Sequence, residues 1–356
     1  MTMLTTRPTL LIQTGSLADV ILLTALIEYL HRLEPAGVLD VLVQQKHASA
    51  LHQHPFVNQI ITVEKSQIKL PVAHQLLRQI RAANYHRVIN LQHSTATGLL
   101  TAFSGAEERL GFTKNPLSTG FTRALPYFIA SDTHEVARNL QLLDPPAYTP
   151  LTLPRLYPTV ADAEAIMPYT LAGDYLCLAP GADQRTRQLP TEQWLKLLAA
   201  LPAHYPVYLV GTAADAEVCA ELATRSHRPG VVNLAGRLSV LATAALLRGA
   251  VLNYVLDAVM LHLCSAVAAP TCAVYCSTSP NFGFGPLSPQ AWVVETAAAL
   301  ECRSCDVTGY AQCPLTHFLC GRGIGTAQLL APLAEAEKLK RLAAPQEVGY
   351  RELMRA

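Results

Sequence analysis

Three stretches of the chain place acidic, basic or imidazole side chains at turns where an apolar run gives way to a helical pattern. In Gly15-Ser16-Leu17-Ala18-Asp19-Val20 the run closes on a glycine and a carboxylate follows at the start of the next element. Such a carboxylate can serve as a general base, and it equally suits a plain helix start, where it complements the macrodipole. In Val255-Leu256-Asp257-Ala258-Val259-Met260-Leu261-His262 an aspartate ends an apolar strand pattern and a histidine sits on the following helix. Free amides at that helix start could hold a phosphate; a capping aspartate and a packed histidine would share the pattern. The third stretch, Ala179-Pro180-Gly181 followed by Arg185 and Arg187, offers guanidinium groups suited to phosphate oxygens, or simply a solvated loop. A fourth group, Cys302, Cys305, Cys313 and Cys320, has the close spacing of a tetrahedral thiolate site for zinc or iron, and also suits a reduced structural cluster.

The elements that position these residues alternate. TLLIQTG, VLDVLVQQ, QIITVE and HRVINLQ read as strands, with helices over ADVILLTALIEYLHRL and HQLLRQIRAANY. Prolines 145, 146, 150, 154 and 158 then punctuate a linker. The alternation restarts with YLCLAPG and runs through TEQWLKLLAAL, PVYLVGT, AADAEVCAELATR, VVNLAG, SVLATAALLRGA, VLNYVL, DAVMLHLCSAVA and TCAVYCS. Parallel strands need such helical crossovers, so each half is an α/β layer. Two open sheets facing each other put a cleft outside the carboxyl ends of their strands, where all three turns fall.

At 356 residues the chain is long enough for two domains of roughly 100 to 200 residues each. With 51% hydrophobic and 15% charged residues it belongs to the folding class, not the disordered one. The formal net charge of +1 provides no field to collect nucleic acid. The start of the chain lacks a secretory pattern, so the expected location is the cytoplasm. The uncharged run from Ala258 to Cys276 is long enough for a membrane span, but Pro270 divides it and His262 and Ser265 interrupt it, so it reads as a buried helix and strand. Five further cysteines lie in apolar segments as small buried hydrophobes. A P-loop, a G-x-G-x-x-G fingerprint after the first strand and a G-x-S-x-G elbow are all missing, which removes the usual NTPase, NAD-enzyme and hydrolase readings.

In order along the chain, Ser16-Leu17-Ala18-Asp19-Val20-Ile21, HPFVNQIITVE, NLQ, Arg109-Leu110-Gly111-Phe112, HEVARNLQLL, LAPGADQRTRQLPTEQW, VVNLAGRLSVLATAALL, DAVMLH and STSP resemble the motif series of the ADP-heptose heptosyltransferases, glycosyltransferase family 9. The resemblance covers nearly the whole chain. It implies a GT-B fold of two facing Rossmann-like, doubly wound parallel sheets, with an acceptor domain over residues 1–155 and a nucleotide-sugar domain over 156–356, whose last helix can pack back on the first domain. It further implies inverting transfer from an ADP-sugar to a glycan or lipid-linked acceptor at the inner face of the membrane, with no cofactor required for catalysis. By carry-over Asp19 is the base, with Ser16 and Arg109 on the acceptor side. Arg187 meets the diphosphate, Asp215 the ribose, Leu238 and Ser239 the adenine, and Asp257, Ala258, Val259 and His262 the heptosyl diphosphate. Some family members carry similar cysteines.

Several positions depart from the family pattern. Val259 replaces a glycine that would let backbone approach phosphate, Ala18 replaces the glycine before the base, Cys276-Ser277 stands for Gly-Pro, and His93-Ser94-Thr95-Ala96 lacks an arginine of the acceptor side. These departures keep two other readings open: a degenerate member that binds a nucleotide sugar or a partner without transfer, and a heptosyltransferase for protein side chains.

Overall fold

The computed structural model describes residues 8–64, 70–129, 133–146 and 149–343. Its first half runs β1 (Thr9–Gln13), α1 (Leu17–Leu33), β2 (Leu39–Gln44), β3 (Gln59–Val63), α2 (Leu70–Ala82), β4 (Arg87–Asn90), α3 (Thr95–Ala102), β5 (Glu108–Phe112), β6 (Arg123–Leu125) and α4 (Glu135–Gln141). The second half runs α5 (Val160–Thr170), β7 (Leu176–Ala179), α6 (Thr191–Ala200), β8 (Val207–Leu209), α7 (Ala216–Arg225), β9 (Val231–Asn233), α8 (Val240–Gly249), β10 (Leu252–Leu256), α9 (Val259–Ala266), β11 (Thr271–Tyr275), β12 (Ala291–Glu295), α10 (Leu319–Arg322) and α11 (Thr326–Ala343).

The strands form two six-stranded sheets in the orders β3-β2-β1-β4-β5-β6 and β12-β11-β10-β7-β8-β9. Every pairing within them is parallel. The strand order reverses between β1 and β4 in the first sheet and between β7 and β10 in the second, and a ligand crevice opens at such reversals. The uncharged run from Ala258 to Cys276 is α9 followed by β11, buried helix and buried strand. Among the described residues no helix is long and apolar enough to cross a membrane.

α1 explains why its sequence is apolar on every side. All residues from Val20 to Leu30 are buried, a pattern that belongs to a helix enclosed by protein rather than one with a solvent face. It packs on its own sheet, on α4 and on α9 of the second half. One apolar core therefore runs from Leu11, Leu22 and Leu26 to Leu246, Leu261 and Tyr275, across both sheets. Among the described residues, Leu329, Leu333 and Ala336 of α11 join the core of the second sheet, beside α6.

Residues 152–157 of the proline-rich linker are bound to α1 and α9. Arg155 N–H donates to Thr24 Oγ1 of α1 at 2.8 Å, Tyr157 Oη donates to Glu28 Oε1 at 2.5 Å, and Leu156 N–H donates to the Ala266 carbonyl of α9 at 3.1 Å. Arg32 donates to Thr152 Oγ1. The polar groups of the buried helix are thus satisfied by the segment that joins the halves.

Beside Glu28 lies His54, 4% exposed and in edge contact with the ring of Tyr157 at 4.9 Å. Burial lowers its pKa to about 4 from an ordinary 6.5, and His31 adds to the shift. A histidine buried neutral binds its proton more readily in the unfolded chain, so stability rises with pH between those two values. Its contribution is complete above pH 6.5 and is lost as pH falls towards 4, by roughly 3 kcal/mol. His54→Gln should flatten the dependence of unfolding free energy on pH across that window, measured by urea denaturation at several pH values. An unchanged slope would remove His54 as a source of acid sensitivity.

Candidate functional site

In the first sheet the site begins where β1 ends. Ser16 is the N-cap of α1 and Asp19 its third residue, and the two form a capping box. Ser16 N–H and Oγ donate to Asp19 Oδ2 at 2.7 and 2.8 Å, and Asp19 N–H donates back to Ser16 Oγ at 3.3 Å. Both of these bonds to the carboxylate fall on Oδ2. Gly15 is required by contact: a Cβ there would stand 2.4 Å from Asp19 Oδ2. Neighbouring strands hold the turn, with Gln44 Nε2 donating to the carbonyls of Thr14 and Gly15, and Gln13 Oε1 accepting from Gly15 N–H and Gln92 Nε2.

In the second sheet Arg187 and Asp257 follow β7 and β10, the two strands at the reversal. Arg187 Nη2 lies 3.1 Å from Asp257 Oδ2 and also donates to the Asp257 carbonyl. Burial raises the pKa of Asp257, while the neighbouring Arg187 guanidinium acts in the opposite direction. His262, 4% exposed on α9, is driven down to about 3 by burial, with His134 and Arg187 adding, so it is neutral at physiological pH. Ala258 is the N-cap of α9, and Val259, its first residue, packs against the shared core.

The cysteine loop buttresses this turn. Thr186 N–H donates to the Tyr310 carbonyl at 3.1 Å and Tyr310 N–H to Thr186 Oγ1 at 2.8 Å. Gly309, at φ +75, lies so close to Arg187 that a Cβ would stand 2.9 Å from its Cγ. Arg303 donates to the carbonyls of Cys276 and Thr278, each at 2.8 Å, and so fixes the segment that stands for the family's Gly-Pro. As for the metal expectation, Cys302, Cys305, Cys313 and Cys320 are free thiols and burial raises the pKa of Cys320 to about 11. Among the described residues no three His, Cys, Asp or Glu side chains close on a point that could hold a metal, so the four do not form a ligand set as placed.

The other expected residues have visible structural tasks. Asp215 repeats the Asp19 device, a capping box in which Thr212 N–H and Oγ1 donate to Oδ2 at 2.7 and 2.8 Å, packed over the bare backbone of Gly181 and Gly211. Ser239 caps α8 and donates to Asp162 Oδ1 at 2.8 Å, and Leu238 packs against the shared core. Arg109 lies near the amino end of β5, and its guanidinium donates to the carbonyls of Gly120 and Ala106 at 2.9 and 2.5 Å. The structure gives it to the β5–β6 connection and leaves it out of the set that gathers around Asp19.

The sequence reading passed over the residues that join the two halves of the site. Asp19 is in electrostatic reach of Tyr127 and Glu135, and Glu135 N–H donates to the Gly283 carbonyl of the second half at 2.8 Å. His134 Nε2 lies 3.1 Å from the Gly285 carbonyl and bears on His262, which bears on Arg187. The Glu135 and Arg138 pair at i, i+3 was the available signal.

Two parallel six-stranded sheets flanked by helices are the architecture of the GT-B class of glycosyltransferases. The family model of glycosyltransferase family 9 (heptosyltransferase) matches residues 73–311, and the chain belongs to that family. Lipopolysaccharide heptosyltransferase 1 of Pseudomonas aeruginosa is 26% identical over 287 residues, which cover 77% of this chain and 79% of the relative. The structure of Escherichia coli ADP-heptose lps heptosyltransferase II superposes with a TM-score of 0.77 at 20% identity, over 94% of this chain and 99% of that one. The iron-containing dodecameric glycosyltransferase TibC of enterotoxigenic E. coli shares the fold with a TM-score of 0.57 at 16% identity, over 94% of this chain and 77% of that one.

Removing Arg187 would leave the buried Asp257 carboxylate without its cation. Arg187→Ala should destabilise the protein by about 3 to 5 kcal/mol, and adding Asp257→Asn should recover a substantial part of that loss. Urea unfolding of the single and double variants measures both. A strictly additive pair of losses would show that the two groups stand independently.

Proposed function

We propose that the chain transfers a heptosyl group from ADP-heptose to a lipopolysaccharide-core or related glycan acceptor, with inversion at the anomeric carbon. This reading is supported by the contacts of α4, where Glu135 is in electrostatic reach of Asp19 and donates to Gly283, and His134 bears on His262 and contacts Gly285, in a chain of the heptosyltransferase family. The acceptor belongs to residues 1–155 and the donor to 156–356. The acceptor hydroxyl attacks the anomeric carbon from the face opposite ADP, and Asp19 takes its proton as the new bond forms. The glycosidic bond to the diphosphate breaks with its electron pair passing to the phosphate oxygen. Arg187 and the amides at the start of α9 receive that charge, after Arg187 exchanges part of its contact with Asp257 for the donor. Asp215, Leu238 and Ser239 line the nucleoside end, Ser16 holds the base, and Ala258 and Val259 border the diphosphate. A lipid-linked acceptor would be met at the inner face of the membrane.

Asp19→Asn keeps the side-chain shape and removes the proton acceptor. Single-turnover transfer from ADP-heptose to truncated lipid-A-core acceptors should fall by roughly 10² to 10⁴-fold, with ADP affinity nearly unchanged. An Asn variant as active as the parent would take Asp19 out of the reaction. Parent protein that binds ADP-heptose and transfers to no acceptor would assign the chain to the family's non-catalytic binders.

We also infer that the cysteine loop can gather a structural zinc or iron by turning its thiols inward, a reading supported by the C-x-x-C spacing and by the iron-containing TibC. Elemental analysis of protein purified without chelator should find close to one equivalent. Less than about a tenth of an equivalent would leave the loop as reduced thiols, as it is placed here.

A further inference from the structure

The seam between α4 and the 282–285 loop is built around one guanidinium. Arg138 is 4% exposed and pairs with Glu135, 9% exposed, through Nε and Oε2 at 2.9 Å. Its Nη1 donates to the Thr133 carbonyl at 2.5 Å, and its Nη2 crosses to the second half and donates to the Phe282 carbonyl at 3.2 Å. Its Cζ lies over two rings, Tyr127 of the first half at 5.5 Å and Phe284 of the second at 5.7 Å. Gly283 follows at φ +92, and a Cβ there would stand 2.4 Å from the Thr133 carbonyl, so the two backbones are in contact.

Each end of this arrangement leads to reacting groups. Tyr127 Oη donates to Glu135 Oε2 at 2.9 Å, and both residues are in electrostatic reach of Asp19. Phe284 presents its ring to His262 at 6.3 Å, and His262 is in electrostatic reach of Arg187, which pairs with Asp257. A guanidinium suits this place because its planar fork reaches three acceptors in fixed directions and its flat cation packs on aromatic rings, which a lysine ammonium cannot reproduce. We propose that Arg138 is a positioning residue for transfer, a clamp between the halves that sets the distance from Asp19 to the donor turns. The inference rests on the transferase reading of the site and adds to it a residue that touches neither substrate.

Arg138→Lys keeps the charge opposite Glu135 and loses the fork. Three readouts separate a clamp from ordinary packing: amide exchange of segments 133–142 and 279–287 by mass spectrometry, ADP affinity by calorimetry, and kcat at saturating ADP-heptose. Exchange in both segments should rise by at least about tenfold, since the contact holds one against the other. kcat should fall by about 10²-fold, the cost of a small misplacement of reacting groups, with the Kd for ADP within about twofold of the parent. Phe284→Leu removes the ring on the donor side alone and should repeat the pattern in weaker form, which also covers the case of a lysine variant that does not fold. Faster exchange with kcat intact would make the pair a packing contact and overturn the proposal, as would unchanged exchange at 279–287. If the parent protein transfers nothing, the transferase reading falls, and exchange with calorimetry still decides whether Arg138 joins the halves.

Discussion

The whole arrangement depends on the burial of α1 between its own sheet and α9 of the other half. Most two-domain proteins keep a separate core in each domain and meet across a more polar surface. Here the helix that starts at the proposed base is also the centre of the apolar core common to both sheets. Its length of buried side chains anchors the turn at its amino end, so Asp19 is carried by an enclosed helix and not by a free loop. The same burial obliges Thr24 and Glu28 to find partners, and the linker supplies them.

The donor side is held differently. Its support is mostly polar: Arg303 on two carbonyls, the Thr186 and Tyr310 backbone pair, and the Arg187 and Asp257 ion pair. A buried ion pair adds little net stability over apolar packing, because desolvation consumes most of its attraction. It does make one geometry much better than its neighbours. Under the proposed reaction such support suits the turn, since an incoming phosphate would take the place of the carboxylate that Arg187 holds.

Much of this fold was legible in the chain because parallel strands buried on both faces read as continuous apolar runs, and α1 and α9 as apolar helices. β5 and the edge strand β6 escaped, since Glu108, Arg109 and Gly111 break the apolar pattern of one and the other has three residues. α5 escaped because Pro168 interrupts it and Ile166 is its buried residue, which leaves almost no periodicity to detect. At the site, the G-S-x-x-D turn announced Asp19 through local capping chemistry, and Asp257 through its place after an apolar strand. Arg109 had the right type and family position, and its guanidinium is bound to the nearby carbonyls of Ala106 and Gly120. Arg138 acquires its significance from Phe282 and Phe284, far along the chain, and no local pattern encodes a contact of that range.

The common core also bears on how such a chain can diversify. Where each half has its own core, recombination can pair the acceptor half of one relative with the donor half of another and produce a working chimera. In this molecule the boundary between halves runs through packed side chains of α1 and α9, so a transplanted half would bring a mismatched set of knobs and holes to its new partner. New acceptors or donors are then more readily reached by changing turns at the strand ends, one residue at a time, and the departures at Val259, Cys276 and Ser277 lie in such turns.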